Sequence, residues 1–327
     1  MPKSRSFRRI GTGRASSLAA RGGGVAALVL ALVGCQSTST PPPAASPVKP
    51  ASAEIPISPD QESAGPMLPS LEINPDLVKT LKPSNDRDWA PEQAVLPWAE
   101  FDGNRVTLHN IRNSTYRTID DYDVSHYDKT FDLDGLKSVD FVVVPFNDTP
   151  EIAHTALSFG FDDRDYVVVS VEIRRERGER YHALKGFLRQ YELMYVLVDE
   201  RDFILRNAKH NMADVYVHRA RATPEQVRTL FVDVAQRMNK LFHEPEFYDT
   251  LSNNCTTNIR DHINRMVPGR VPYDYRVLLP GHSDRLAYEL GLLDTDTGFE
   301  QTRLRNRVNY QAFLHGDDPD FSVKIRR

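Results

Sequence analysis

A thiol, an imidazole and a carboxylate stand in three separate stretches of this chain, each in a local pattern suited to chemistry. Cys255 lies in Ser252-Asn253-Asn254-Cys255-Thr256-Thr257-Asn258-Ile259-Arg260, where Asn253 or Asn254 is a natural cap and Cys255 opens a helix. The positive end of a helix lowers a thiol's pKa and favours the nucleophilic thiolate. Cys255, Ile259, Ile263 and Met266 share one face, so the thiol is expected to pack at the sheet's edge. The same stripe also suits an ordinary small core residue, so a partner must decide between the two.

The partner is expected on a hairpin. In Ile152-Ala153-His154-Thr155-Ala156-Leu157-Ser158-Phe159 the alternate residues Ala153, Thr155, Leu157 and Phe159 form the more apolar face, and His154 shares the other with Ser158. In the next segment Val167, Val169, Val171 and Ile173 are apolar, while Ser170, Glu172 and Arg174 face the polar side. A turn about Asp163 pairs residues whose numbers sum to 326. His154 then faces Glu172 at about 5 Å, and a slip of one residue would undo this. A carboxylate beside an imidazole fixes its tautomer and raises its basicity, as a general base requires. His262 shares the helix face of Cys255 but lies two turns away, roughly 10 Å, too far for proton transfer. His126, His182, His210 and His243 stay open as alternatives.

Other chemistries find little support. There is no His-Glu-x-x-His pair, cysteine cluster, calcium loop, nucleophile elbow or phosphate-cradling glycine loop, so no metal and no cofactor is expected. The run Arg174, Arg175, Arg177 and Arg180 reads as a solvated strand end or as a site for lipid phosphates.

Strands are expected over Arg105–Arg112, Val139–Phe146, Ile152–Phe161, Tyr166–Arg174, Leu193–Asp199 and Asp214–His218. Thr223-Pro224-Glu225 opens a helix with the stripe Val227, Leu230, Phe231, Val234, Met238, Leu241; a second starts near Cys255, and a third runs from Ser283 to about Leu290. Strands first and helices later imply an α+β domain over 86–327.

Ahead of it, residues 1–34 read as an export signal, with a basic stretch and a roughly ten-residue apolar core, too short to span a membrane. Leu32-Val33-Gly34-Cys35 looks like a lipoprotein signal in which Cys35 takes the lipid; Gln36 fits sorting to the periplasmic face of a Gram-negative outer membrane. Residues 35–85, rich in Pro, Ala and Ser, read as a tether. Removing the signal takes away six cations (Lys3, Arg5, Arg8, Arg9, Arg14, Arg21) and moves the net charge from −4 to −10, which argues against nucleic acid as a partner. With Cys35 lipidated, Cys255 has no disulfide partner.

Several ordered segments resemble the Lnb N-terminal periplasmic domain family: Ala153-His154-Thr155-Ala156-Leu157-Ser158-Phe159, Ser170-Val171-Glu172-Ile173-Arg174-Arg175-Glu176, Arg189-Gln190-Tyr191-Glu192-Leu193 and Asn254-Cys255-Thr256-Thr257. Arg105–Arg112 and Ala287-Tyr288-Glu289-Leu290-Gly291-Leu292 add to it. The resemblance implies a permuted papain-like (NlpC-type) fold, a largely antiparallel sheet packed by helices with the histidine strand preceding the cysteine helix. It implies an acyltransferase that takes a fatty acyl chain from a phospholipid and places it on a lipoprotein's N-terminal amine. On it, Cys255 forms a thioester and His154 acts as base and then acid, with Glu172 orienting the histidine. Backbone N–H groups at Cys255 and Thr256 are expected to hold the oxyanion, and Asn254, Thr256, Arg174 and Arg175 are the candidate substrate or oxyanion contacts. The alternatives are a peptidoglycan amidase or peptidase of the NlpC type, and a non-catalytic envelope lipoprotein that binds lipid or protein.

Overall fold

Ten strands form from the β-branched and aromatic segments, in a computed structural model that describes residues 82–179 and 189–327. They are β1 (Trp98–Asp102), β2 (Arg105–Arg112), β3 (Thr115–Tyr116), β4 (Tyr122–Asp123), β5 (His126–Asp132), β6 (Leu136–Phe146), β7 (Thr149–Phe161), β8 (Asp165–Arg174), β9 (Glu192–Asp199) and β10 (Tyr216–Arg219). Strands β3 and β4 pair with each other, and the other eight form one sheet in the order β1-β2-β9-β8-β7-β6-β10, with β5 along β2. Every pairing is antiparallel except the contact of β2 with β9 at Arg112↔Val198. The helices are α1 (Glu200–Leu205), α2 (Pro224–His243), α3 (Cys255–Met266), α4 (Tyr275–Leu278), α5 (Ser283–Glu289), α6 (Phe299–Arg305), α7 (Asn309–Leu314) and α8 (Phe321–Lys324). This is an α+β architecture, as expected. The signal, Cys35, His182 and most of the tether lie outside the described residues.

The hairpin between β7 and β8 has the expected register. Asp162 and Asp163 turn with φ of 50° and 52°, a left-handed conformation that aspartate tolerates. Ala156↔Ser170, Leu157↔Val169 and Phe161↔Asp165 then pair as the sum of 326 requires. The capped helix also forms where expected: Thr223 accepts from Gln226 N, the Gln226 side chain accepts from Thr223 N, and Pro224 holds the first position.

One face of the sheet carries Leu157, Phe159, Phe161, Val167, Val169 and Tyr195 against α2 and α3. There Phe231 of α2 meets Phe159 and Phe161 edge-on, at 5.2 Å and 5.5 Å between ring centres. The opposite face, read from alternation as polar, is buried as well. Val142, Val144, Ala156, Val168, Met194 and Val196 pack there under Phe203 and Ile204 of α1 and under Val308, Ala312, Phe321 and Ile325. Several polar groups on that side pair with one another. Ser158 donates to Glu200 at 2.5 Å, and Arg326 binds both Glu200 and Asp140, while Arg219 also reaches Asp140 at 2.8 Å.

The tether ends sooner than composition suggested. Ser84 N donates to Glu192, and Asn85 donates to the carbonyls of Leu241 and Phe242 at the end of α2, so both residues belong to the folded unit. Replacing Phe231 with alanine removes the ring that both phenylalanines of β7 pack against and is expected to cost about 3–5 kcal/mol. Urea denaturation should show the lower midpoint with an unchanged slope; a loss below about 1 kcal/mol would mean that this contact does not anchor the helix layer.

Candidate active site

The cysteine helix is held at its first turn by Asn254, not Asn253. Asn254 Oδ1 accepts from Thr257 N at 2.8 Å, and Thr257 Oγ1 accepts from Asn254 N at 2.8 Å, a reciprocal capping box. Asn254 Nδ2 donates to Thr250 O at 2.7 Å, so its amide helps to position the helix. Cys255 thus sits at the first helical position with the helix's positive end at its back.

The sheet opens to receive it. Pairing between β7 and β8 stops at Ala156↔Ser170. Beyond that point β7 stays with β6 through Val144↔His154, and β8 stays with β9 through Glu172↔Met194. The two strands part as a fork, with His154 on one prong and Glu172 on the other. The thiol comes down at this fork in the interior of the sheet, since β6 and β8 flank β7 on both sides. The expected position at the sheet's edge is corrected accordingly.

Within the fork the polar atoms form a relay. His154 Nε2 bonds Ser170 Oγ at 2.7 Å, and Ser170 Oγ donates to Glu172 Oε1 at 2.9 Å. A hydroxyl has one proton, so Ser170 accepts from the ring, which places the ring proton on Nε2 and leaves Nδ1 as the basic nitrogen. His154 and Glu172 are brought together at 4.0 Å, as the register implied, but Ser170 carries the hydrogen bond between them. Gln93 steadies the far end: its Nε2 donates to Ile173 O at 2.7 Å and touches Glu172 Oε2 at 3.4 Å.

The electrostatics follow from this arrangement. Burial pushes the Cys255 thiol up, but hydrogen bonding and charge from His154, then the hydroxyl and N–H of Thr155, bring it down to about 7. Burial pushes His154 down, and its coupling to Cys255 and then to Glu172 outweighs that and raises it. Burial likewise pushes Glu172 up, while the charges of His154, Arg112 and Arg206 and the Ser170 hydrogen bond hold it at about 2. These opposed shifts favour a thiolate beside an imidazolium, with Glu172 ionised behind them. Such opposed shifts cluster at reactive sites.

Thr256 links the thiol to a cavity. Its Oγ1 lies 3.8 Å from Cys255 Sγ and 3.1 Å from Thr155 Oγ1, and Thr256 also lines an apolar cavity of about 300 Å³. Leu157 of β7, Ile259 and Ile263 of α3, Val277 of α4 and Leu286 of α5 form much of its wall.

The arginines lie elsewhere. Arg174 is buried, donates to Gln93 O, Ala94 O and Asn85 Oδ1, and stacks 4.2 Å over Trp89; burial lowers its pKa to about 10. It is neither a solvated strand end nor a substrate contact, because its donors are engaged on the segment ahead of β1. Arg175 pairs with Glu92 at 2.8 Å. His262 is remote from the thiol, held between Tyr195 OH at 2.7 Å and Asp233 at 2.6 Å, and burial lowers it to about 4. Ser170, Thr155 and Gln93 escaped the sequence reading. Ser170 was recoverable, since it sits diagonally across the register from His154. Among the described residues no three His, Cys, Asp or Glu side chains gather to hold a metal ion.

Residues 123–281 match the family described as the Lnb N-terminal periplasmic domain. The matched segment contains Cys255, His154, Ser170 and Glu172, so the part of the chain that carries the site is similar to a periplasmic domain, which points to the cell envelope. No curated protein and no solved structure matches the chain. Among the described residues no helix is long and apolar enough to cross a membrane.

A thiol held near 7 is substantially ionised at neutral pH, because thiolate forms as pH rises through the pKa. The alkylation rate of Cys255 by iodoacetamide should therefore climb through about pH 7 rather than about 8.5. His154→Ala leaves burial unopposed by the imidazole and should move the inflection upward; superimposable profiles would refute the coupling. Ser170→Ala removes the ring's acceptor and should slow alkylation at neutral pH roughly tenfold, the equivalent of one hydrogen bond.

Proposed function

We propose that this Lnb N-terminal periplasmic-type domain is a cysteine-dependent acyltransferase that draws its acyl group from a phospholipid. The observation that carries the reading is the apolar cavity walled in part by Thr256, the residue next to the thiol. A peptidoglycan substrate calls for an open polar groove beside the nucleophile, whereas an acyl chain calls for an apolar slot there.

The thiolate of Cys255 attacks the ester carbonyl, forming the S–C bond. As the tetrahedral oxyanion collapses, the C–O bond to the glycerol breaks, and imidazolium His154 gives its Nδ1 proton to the departing alkoxide. The products are a thioester on Cys255 and a lysophospholipid. In the second half an amine, such as a lipoprotein's N-terminus, attacks the thioester carbonyl, His154 takes a proton from it, and Sγ leaves as thiolate. Backbone N–H groups at Cys255 and Thr256, free of intrahelical acceptors at the start of α3, suit the oxyanion.

His154 keeps its orientation throughout, since Nε2 donates to Ser170 in both protonation states. Glu172 compensates the imidazolium without taking the proton, because it is held ionised. The order of histidine strand before cysteine helix, on a largely antiparallel sheet, is the order that a permuted papain-like plan requires and supports this reading. The membrane enters as the lipid source and, through Cys35, as the anchor.

Intact-mass analysis after mixing the full chain with phosphatidylethanolamine vesicles should show one acyl increment on the wild-type protein and none on Cys255→Ser. Cleavage of a peptidoglycan stem peptide without any acyl adduct would replace this reading with the amidase alternative. Neither product would leave a binding protein.

A further inference from the structure

Next to the fork, on the side of α1, one guanidinium makes no direct ion pair among the described residues. Phe203 of α1 packs its ring 5.9 Å from the His154 ring, and Arg206 lies three residues further on, at the same face of the helix. Residues Arg206–His210 form a single π turn, a rare conformation that recurs at functional sites. Opposite stands an aromatic wall: Tyr116 contacts the His210 ring at 5.6 Å and the Tyr122 ring at 5.4 Å.

The charges here can be matched one by one. Arg112 pairs with Asp202, both buried; Arg175 pairs with Glu92, which also accepts from Tyr122 at 2.6 Å; Glu172 answers imidazolium His154, whose other partner is the thiolate. Arg206 remains. Among the described residues its side chain makes no hydrogen bond and no ion pair, yet its field reaches His154, Glu172, Tyr116 and Tyr122. A half-buried guanidinium carries a desolvation penalty that a bound anion would relieve.

Resting on the acyl-transfer reading, we infer that Arg206 binds the phosphodiester of the acyl donor, so that the lipid's chain and its phosphate engage opposite sides of the fork. The planar fork of an arginine suits two phosphate oxygens. Arg206 is on this account a specificity residue: it holds the donor by its headgroup while Cys255 and His154 perform the transfer.

The test compares two donors with the same acyl chains, phosphatidylglycerol and diacylglycerol, presented in detergent micelles to the full chain. The readout is the rate of acyl–Cys255 formation by intact mass. Arg206→Gln should lower the ratio of the phosphatidylglycerol rate to the diacylglycerol rate about tenfold, Arg206→Lys should restore part of it, and inorganic phosphate should compete only against phosphatidylglycerol. A ratio equal to that of the wild-type protein, in an Arg206→Gln chain of unchanged melting temperature, overturns the assignment and leaves acyl transfer standing. A wild-type chain acylated by neither donor overturns acyl transfer itself, and this inference with it.

Discussion

Cys255 and His154 are buried together, and the parting of β7 from β8 admits the hydrogen-bond partners that such a buried polar pair requires. Were the ladder continuous past Ala156, the strands would close on each other and leave no room for the thiol between them. Because they separate, Thr155 turns its N–H and hydroxyl to Cys255, and Ser170 reaches His154. The remaining structure serves to hold this gap at a fixed width. Strand β6 keeps one prong, β9 keeps the other, and Gln93 ties down the free end of β8 through Ile173 O and Arg175 N.

The sequence disclosed more of the site than periodicity alone usually does. The turn chemistry of Asp162-Asp163 set the register, and the register brought His154 and Glu172 to the same place from strands whose identities were clear. What it concealed was the pairing limit. Nothing local in Ser170 or Ala156 marks the last rung of a ladder; that rung is decided by β6 and β9 pulling the two strands apart, a property of the whole sheet. The cap at Asn254 was legible because capping is local chemistry within four residues.

The elements that escaped prediction share a physical cause. Strand β5, His-Tyr-Asp-Lys-Thr-Phe-Asp, is largely polar because it lies along β2 at the rim of the sheet, so little hydrophobic signal marks it. Helix α1 has six residues and follows β9 directly, too short to show a period of its own. The burial of the second face was hidden for a different reason. Its cover comes from α1 and from residues 308–325, where Val308, Ala312, Phe321 and Ile325 each add one apolar side chain, and only their sum conceals the sheet. Arg174 looked solvated for a related reason, since its cover, Asn85 with Trp89, Gln93 and Ala94, comes from a stretch for which the sequence showed no element.

The order in which this chain is made bears on how it folds. Asp140 and Glu200 sit in the covered face of the sheet, and the guanidinium that joins them arrives on Arg326, 186 positions after the first and 126 after the second. Closing so long a loop is slow, and until it closes the two acids share a compartment with each other but lack this cation. Emerging from a ribosome at about 5–20 residues per second, the chain exposes that sheet face for roughly ten seconds or more before its cation exists. The back of the sheet therefore belongs to the last stage of folding, and a folding helper would find its longest opportunity there.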